Sequence, residues 1–285
     1  GYAISKDGLN FKRKSEPAIV PSEPYDQRGI MDPRVTRVDD KYYMTYSADN
    51  GKMRMLALAT SKNLVDWEKH GLMLKNWNAI KAGSFRKVNG KKLPEKEGRE
   101  QRAKAGGIFP KKINGKYWVI FGNSYLWTAT SENGVVWYVD FKPFLSPREN
   151  SFDSLSVQGG PPPLKTEKGW LYFYHGRSGV NGDYKLGYLL LDLNNPKKII
   201  FRSEKPVFEP KEEYEESGIV DILTGGVEEM KKMSKKELEE FTDKENKSGN
   251  MPRVVFSCGA VLVDDLVRIY YGASDTVIAT ATAPI

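Results

Sequence analysis

Cysteine is almost absent from this chain. Cys258 is the only one, so no disulfide can form within the chain and nothing in its covalent chemistry requires an oxidising compartment. Histidine is nearly as scarce: His70 and His175 are the only two, with no paired cysteines and no HExxH spacing, which excludes a zinc site. No apolar run approaches the roughly 20 residues that span a bilayer, and no secretory signal is read in these 285 residues. A strong charge of one sign is missing as well. The formal charge of +7 is a small excess of 44 Lys and Arg over 37 Asp and Glu, and the two signs are interleaved rather than gathered into a basic stripe. That pattern argues against a nucleic-acid surface. None of these absences selects a compartment, cytoplasmic or exported.

What the sequence has in quantity is aromatic and β-branched alternation. Residues 29–49, GIMDPRVTRVDDKYYMTYSAD, read as a bend at Asp32-Pro33-Arg34, an alternating run, a polar turn at Asp39-Asp40 and a second run rich in aromatics. The second half of this hairpin recurs as INGKYWVIFG (113–122), TEKGWLYFYHG (166–176) and DDLVRIYYGA (264–273). A different repeat is interleaved with it. Residues 3–11 align without gaps to 59–67 and 129–137, each a strand end, an Asx-type turn and an aromatic at Phe11, Trp67 or Trp137. Looser copies lie at 188–195 and 277–283. A unit of about 60 residues holding some four short strands matches a propeller blade.

Five outer motifs against four inner hairpins predict an all-β, five-bladed propeller over residues 1–285, a single domain whose first blade is incomplete at the N-terminus. The chain starts in repeat sequence with Gly1 rather than Met, from which an absent N-terminal segment is expected. Two stretches break the rhythm. Residues 81–104 are dense in charge and turn formers and read as a solvated loop insertion. Residues 221–250 read as a helical insertion. Met230, Met233, Leu238 and Phe241 fall near helical spacing there, and Ser234 with Glu237 makes a capping box.

In a propeller the innermost strands start near the axis, so the segments leading into them converge although they are far apart in sequence. Those segments are 31–34, 105–112, 158–163 and 251–259, and they share a high Pro and Gly content. Irregular lead-ins explain Pro and Gly. They do not explain Asp32, a carboxyl placed between Met31 and Pro33. Tyr125, Trp127, Trp170 and Tyr174 include candidate sugar-stacking faces, but most propeller aromatics are core.

Residues 29–49, 107–122, 159–176 and 254–281 resemble the successive motifs of glycoside hydrolase family 130, five-bladed propeller enzymes that cleave β-mannosides with inversion, by phosphorolysis or by hydrolysis. The resemblance covers nearly the whole chain apart from the two insertions. It implies that Asp32 is the general acid, delivering a proton to the leaving oxygen directly or through a sugar hydroxyl. It implies a mannose-containing oligosaccharide as substrate, no cofactor, and inorganic phosphate as a co-substrate if phosphorolysis is the route; self-association is left open. Lys112 and His175 resemble phosphate-site positions, with Arg177 close by, and Asp275 resembles an Asp that lines the sugar pocket. Arg34 is a candidate donor to sugar hydroxyls.

Two departures leave the route open. Phe121-Gly122-Asn123 replaces a His-Arg pair, and Gln158 stands where the hydrolytic branch would carry Glu. An amide cannot accept a proton from water, so Glu215 or Glu216 would have to serve as base. A catalytically degenerate carbohydrate-binding or protein-interaction propeller is the alternative, since a scaffold alone does not fix function. An arabinan- or fructan-active propeller would place acids on three lead-ins, and here only Asp32 occupies one.

Overall fold

The structure, a computed structural model, describes residues 1–88, 91–178, 183–216, 234 and 252–285. Strands β1 (Ala3–Ser5) and β2 (Phe11–Arg13) form a hairpin. A four-stranded antiparallel sheet follows, made of β3 (Gly29–Val38), β4 (Lys41–Asp49), β5 (Arg54–Ser61) and β6 (Glu68–Leu72) in that order. After the small hairpin β7 (Phe85–Val88) and β8 (Lys91–Pro94) comes a second sheet of β9 (Gly107–Ile108), β10 (Tyr117–Phe121), β11 (Leu126–Ser131) and β12 (Tyr138–Leu145). The third sheet contains β13 (Ser156–Gly159), β14 (Leu164–Lys165), β15 (Trp170–Arg177), β16 (Tyr184–Leu191) and β17 (Ile199–Arg202). A single helical turn, α1 (Glu213–Glu216), precedes the last sheet of β18 (Val255–Val263), β19 (Leu266–Ala273) and β20 (Val277–Pro284).

The aligned repeats fold alike because the same short-range hydrogen bonds recur. Ser61 Oγ accepts from Leu64 N at 2.9 Å, and Asn63 Oδ1 accepts from Val65 N and Asp66 N, both at 2.9 Å. Ser131 and Asn133 make the same bonds to Gly134, Val135 and Val136, as do Ser5 and Asp7 to Gly8, Leu9 and Asn10. Each turn reverses the chain with its own side chains, so the reversal is set locally. The indole N–H groups of Trp67 and Trp137 then donate to Leu64 O and Gly134 O, each at 3.1 Å, folding the ring back over the sheet.

Sheets pack face to face in chain order. Tyr43, Leu56 and Leu58 of the first meet Val119, Phe121, Trp127 and Trp137 of the second in one buried cluster. Ile120 and Leu126 on the other face of the second meet Val157, Trp170, Tyr172 and Tyr174 of the third. Phe173 and Leu186 of the third meet Val267 and Ile269 of the fourth. The alternating strands predict this arrangement, since successive side chains point to opposite faces and so to opposite neighbours. The aromatics Trp127, Trp170 and Tyr174 are core.

The fold is a β-propeller with almost no helix, but five complete blades are not present among the described residues: four sheets have three or more strands. Among the described residues β1 and β2 pair with each other alone. They are held by contacts to β19 instead. Tyr270 Oη and Arg268 Nη1 donate to Gly8 O and Asp7 O, and Phe11 packs edge-on against Tyr270. Among the described residues no buried cluster joins the fourth sheet to the first.

Within residues 81–104 the chain departs from the expected solvated loop. Phe85 is buried edge-on to Tyr125 at 5.3 Å, Ser124 Oγ donates to Phe85 O, and Arg102 pairs with buried Glu95 at 2.8 Å. The predicted helical insertion at 221–250 lies outside the described residues apart from Ser234. Among the described residues no helix is long and apolar enough to cross a membrane.

Candidate active site

Two of the four inner strands are bulged, and both bulges face one cavity. On β3, Met31 pairs with Ser47 and Arg34 with Thr45, so Asp32 and Pro33 together oppose Tyr46 alone. On β18, Ser257 pairs with Tyr271 and Gly259 with Tyr270, leaving Cys258 as the extra residue. A bulge bends the strand and re-aims the side chain it carries. Pro33 suits this place because it has no N–H to leave unpaired. Asp32 adopts a φ of 52°, outside the range most side chains prefer.

The result is a half-buried Asp32 carboxyl on a cavity of about 730 Å³, whose walls include Pro33, Pro162, Pro163, Phe256, Tyr271 and Asp275. Ser47 Oγ donates to Asp32 Oδ2 at 3.4 Å. Asp275 is exposed at the β19–β20 turn and shares the cavity with Asp32. Cys258 lines it too, and burial pushes its thiol up to about 11, so it stays protonated at neutral pH.

Arg34, only 1% exposed, does not offer its guanidinium to the cavity. Its Nε donates to Gly160 O at 2.7 Å, Nη2 to Gly159 O at 2.8 Å and Nη1 to Asp32 O at 3.0 Å. The side chain therefore ties the bulge carrying Asp32 to the lead-in of the third sheet, and the expectation of a free donor to sugar gives way to that clamp. The two glycines are needed where backbones press together: a Cβ at Gly159 would meet Ala105 O at 2.2 Å, and one at Gly160 would meet Phe173 O at 2.3 Å.

Gln158, His175 and Arg177 gather in an adjoining layer around Tyr184 and Phe256. Tyr184 Oη donates to Gln158 Oε1 and lies 3.4 Å from Arg177 Nη1, while the Arg177 guanidinium sits 4.5 Å from the Tyr184 ring centre. His175 is fully buried and stacked on Phe256 with ring centres 4.1 Å apart. Its Nε2 accepts from Ser257 N at 2.9 Å, so the ring hydrogen is on Nδ1. Burial, then the nearby Arg34 charge, lowers its pKa to about 3. A neutral imidazole whose acceptor is already used does not attract a phosphate dianion by charge, which corrects the expected role of His175.

Three other candidates lie off the cavity wall. Lys112 reaches Asp39 at 3.8 Å, at the opposite end of β3 from Asp32 and about 20 Å along the strand. Its ammonium also covers the Tyr117 ring at 4.6 Å. Glu215 is buried behind Tyr271, with both carboxylate oxygens engaged, and Glu216 faces solvent. Neither glutamate is placed to act as the expected base. Cys258 and Tyr271 were not singled out by sequence; the Ser-Cys-Gly step inside an otherwise alternating strand is the signal for the bulge. Among the described residues no group of three or more His, Cys, Asp or Glu is arranged to hold a metal.

The buried histidine has a measurable consequence. Folded His175 stays neutral to about pH 3, whereas in the unfolded chain it takes up a proton near its ordinary value of 6.5. Between those limits the unfolded state binds more protons, so this contribution is complete above about pH 6.5 and is lost as the pH falls, by roughly 1.4 kcal/mol per pH unit. Urea unfolding at pH 6.5 and 5.0 is expected to show that loss. His175→Gln, which keeps an acceptor for Ser257 N–H, is expected to show a shallower slope, and an unchanged slope would remove His175 as its source.

Three comparisons bear on this geometry. The family model for glycoside hydrolase family 130, described as beta-1,4-mannooligosaccharide phosphorylase, matches residues 1–237 and 223–285. A 1,2-beta-oligomannan phosphorylase of Thermoanaerobacter sp. (strain X514) is 36% identical over 286 residues, covering 99% of this chain and 77% of that protein. The solved beta-1,2-mannobiose phosphorylase of Listeria innocua, in complex with beta-1,2-mannobiose, superposes with a TM-score of 0.74 at 30% identity, covering 99% of this chain and 66% of its own. Another solved structure, from work on family members that are hydrolases targeting beta-1,2 mannosidic linkages in Candida mannan, superposes at 0.75 with 28% identity, covering 100% of this chain and 74% of that one.

Proposed function

The chain belongs to glycoside hydrolase family 130, and on that premise we propose that it cleaves β-linked mannosides by phosphorolysis, with inversion, to give mannose 1-phosphate. The observation that carries this reading is the β3 bulge, which turns the Asp32 carboxyl into a cavity large enough for a disaccharide. In the proposed step a phosphate oxygen bonds to the anomeric carbon from one side while the glycosidic bond breaks on the other. Asp32 delivers its proton to the leaving oxygen and is reprotonated as phosphate gives up a proton. Phosphate is the co-substrate, and the names of the relatives favour β-1,2 linkages.

Hydrolysis is the second reading, because Asp275 puts another carboxylate on the Asp32 cavity and an inverting hydrolase needs two. A purely binding propeller is not favoured, since the relatives that span this chain are named enzymes. The three interblade cores in chain order support reading residues 1–285 as one domain, and the β1–β2 hairpin against β19 supports counting a fifth, incomplete blade.

The test is incubation with β-1,2- and β-1,4-mannobiose, with and without phosphate. Mannose 1-phosphate formed only when phosphate is present is the expected result. Free mannose as the sole product, formed equally in both conditions, selects hydrolysis, and no cleavage in either removes the enzymatic reading.

A further inference from the structure

The turn that presents Asp275 is strained, and Glu215 holds it with its backbone carbonyl while its carboxylate holds the neighbouring Tyr271. Ser274 and Asp275 have successive positive φ values of 45° and 56°, and Thr276 N donates to Ala273 O at 3.0 Å, closing a type I′ turn between β19 and β20. Neither residue is glycine, so the conformation persists only where surroundings enforce it. Ser274 is fully buried; its N–H donates to Val254 O at 3.0 Å and its Oγ to Glu215 O at 2.5 Å. Val254 N in turn donates to Glu215 O at 3.1 Å.

The Glu215 side chain holds the next part of the same wall. It is 2% exposed, and its Oε1 accepts from Tyr271 Oη at 2.5 Å. Oε2 accepts from Lys211 N at 2.8 Å and Glu212 N at 3.0 Å. Burial, then this bond to Glu215, raises the Tyr271 phenol above its ordinary value, which keeps it a donor. Among the described residues no Lys, Arg or His lies within ion-pair distance of Glu215. Its burial is met by a hydroxyl and two amides, one of them from a residue lining the cavity.

We propose that Glu215 is a positioning residue: its carboxylate through Tyr271, and its backbone carbonyl through the Ser274 turn, fix the wall that sets Asp275 against the sugar. This rests on the mannoside reading above and adds to it the element that aims the second cavity carboxylate. A helix-capping role alone would affect stability without favouring one substrate over the other.

Two variants separate these roles. Ser274→Gly removes the tether to Glu215 O and also relieves the positive φ, so the fold is expected to be kept. Glu215→Gln keeps size and shape while changing which groups it can accept from. In steady-state phosphorolysis of β-mannobiose, each is expected to raise KM for the mannoside roughly tenfold with KM for phosphate unchanged within about twofold. The same substitutions in an Asp275→Asn background are expected to add little, because the effect passes through Asp275. Equal effects on both substrates, or full additivity with Asp275→Asn, overturns the proposal while leaving the activity assigned. Wild-type protein that neither cleaves nor binds β-mannobiose by calorimetry overturns the activity and the proposal together.

Discussion

Asp32→Asn is expected to lower kcat/KM for mannoside cleavage by at least about 10³-fold, because the amide has no proton to give the leaving oxygen. The fold is expected to survive. Asn occupies the positive-φ region at least as readily as Asp, it is isosteric, and its amide oxygen can still accept from Ser47 Oγ, which donates to the carboxyl at 3.4 Å. The measurement is mannose 1-phosphate release beside a urea unfolding curve. Turnover at the wild-type rate in a folded variant would take Asp32 out of the mechanism, and loss of activity with loss of fold would point to a structural duty instead.

Arg34→Met is expected to destabilise the protein by about 3 kcal/mol, read as a lower urea midpoint. The guanidinium is the partner of three carbonyl oxygens, Asp32, Gly159 and Gly160, and removing it leaves acceptors facing a thioether at a site closed to water. Arg34→Lys is expected to recover only part of the loss, since one ammonium cannot reproduce the planar fork that reaches all three. If Arg34 instead acted as a sugar donor, stability would hold and KM for the mannoside would rise. The two substitutions therefore decide between a clamp and a contact.

That contrast shows how far sequence reasoning reaches in this fold. The hairpins and the Ser-x-Asn/Asp turns were legible because alternation and side-chain capping act within a few residues, as at Ser61, Asn63 and Trp67. Asp32 was legible as a carboxyl with no local reason to be there. The direction of Arg34 was not, because alternation loses its phase across a bulge, and the one extra residue between Met31 and Arg34 resets which face each side chain takes. Glu215 was read as a base or as a solvated charge. Its partner Tyr271 is 56 residues away, and no local pattern encodes that meeting. His175 failed for a related reason: the neighbouring blade supplies Ser257 N–H and the Phe256 ring, which together close off the imidazole. Residues 81–104 looked wholly solvated because charge dominates their composition, yet Phe85 packs on Tyr125 and Ser124 Oγ donates to its carbonyl.

The three hydrophobic clusters described above are each shared by two successive sheets and skip none. A core substitution at one of these interfaces therefore loads the two sheets that share it. Asp32 lies on the first of these sheets and Asp275 on the turn that closes the last, and the two line one cavity, where Arg34 of the first sheet sits 5.8 Å from the Phe256 ring of the last. A substrate held between Asp32 and Asp275 touches the first and the last sheet at once, so its occupancy is expected to raise the unfolding midpoint of the whole set.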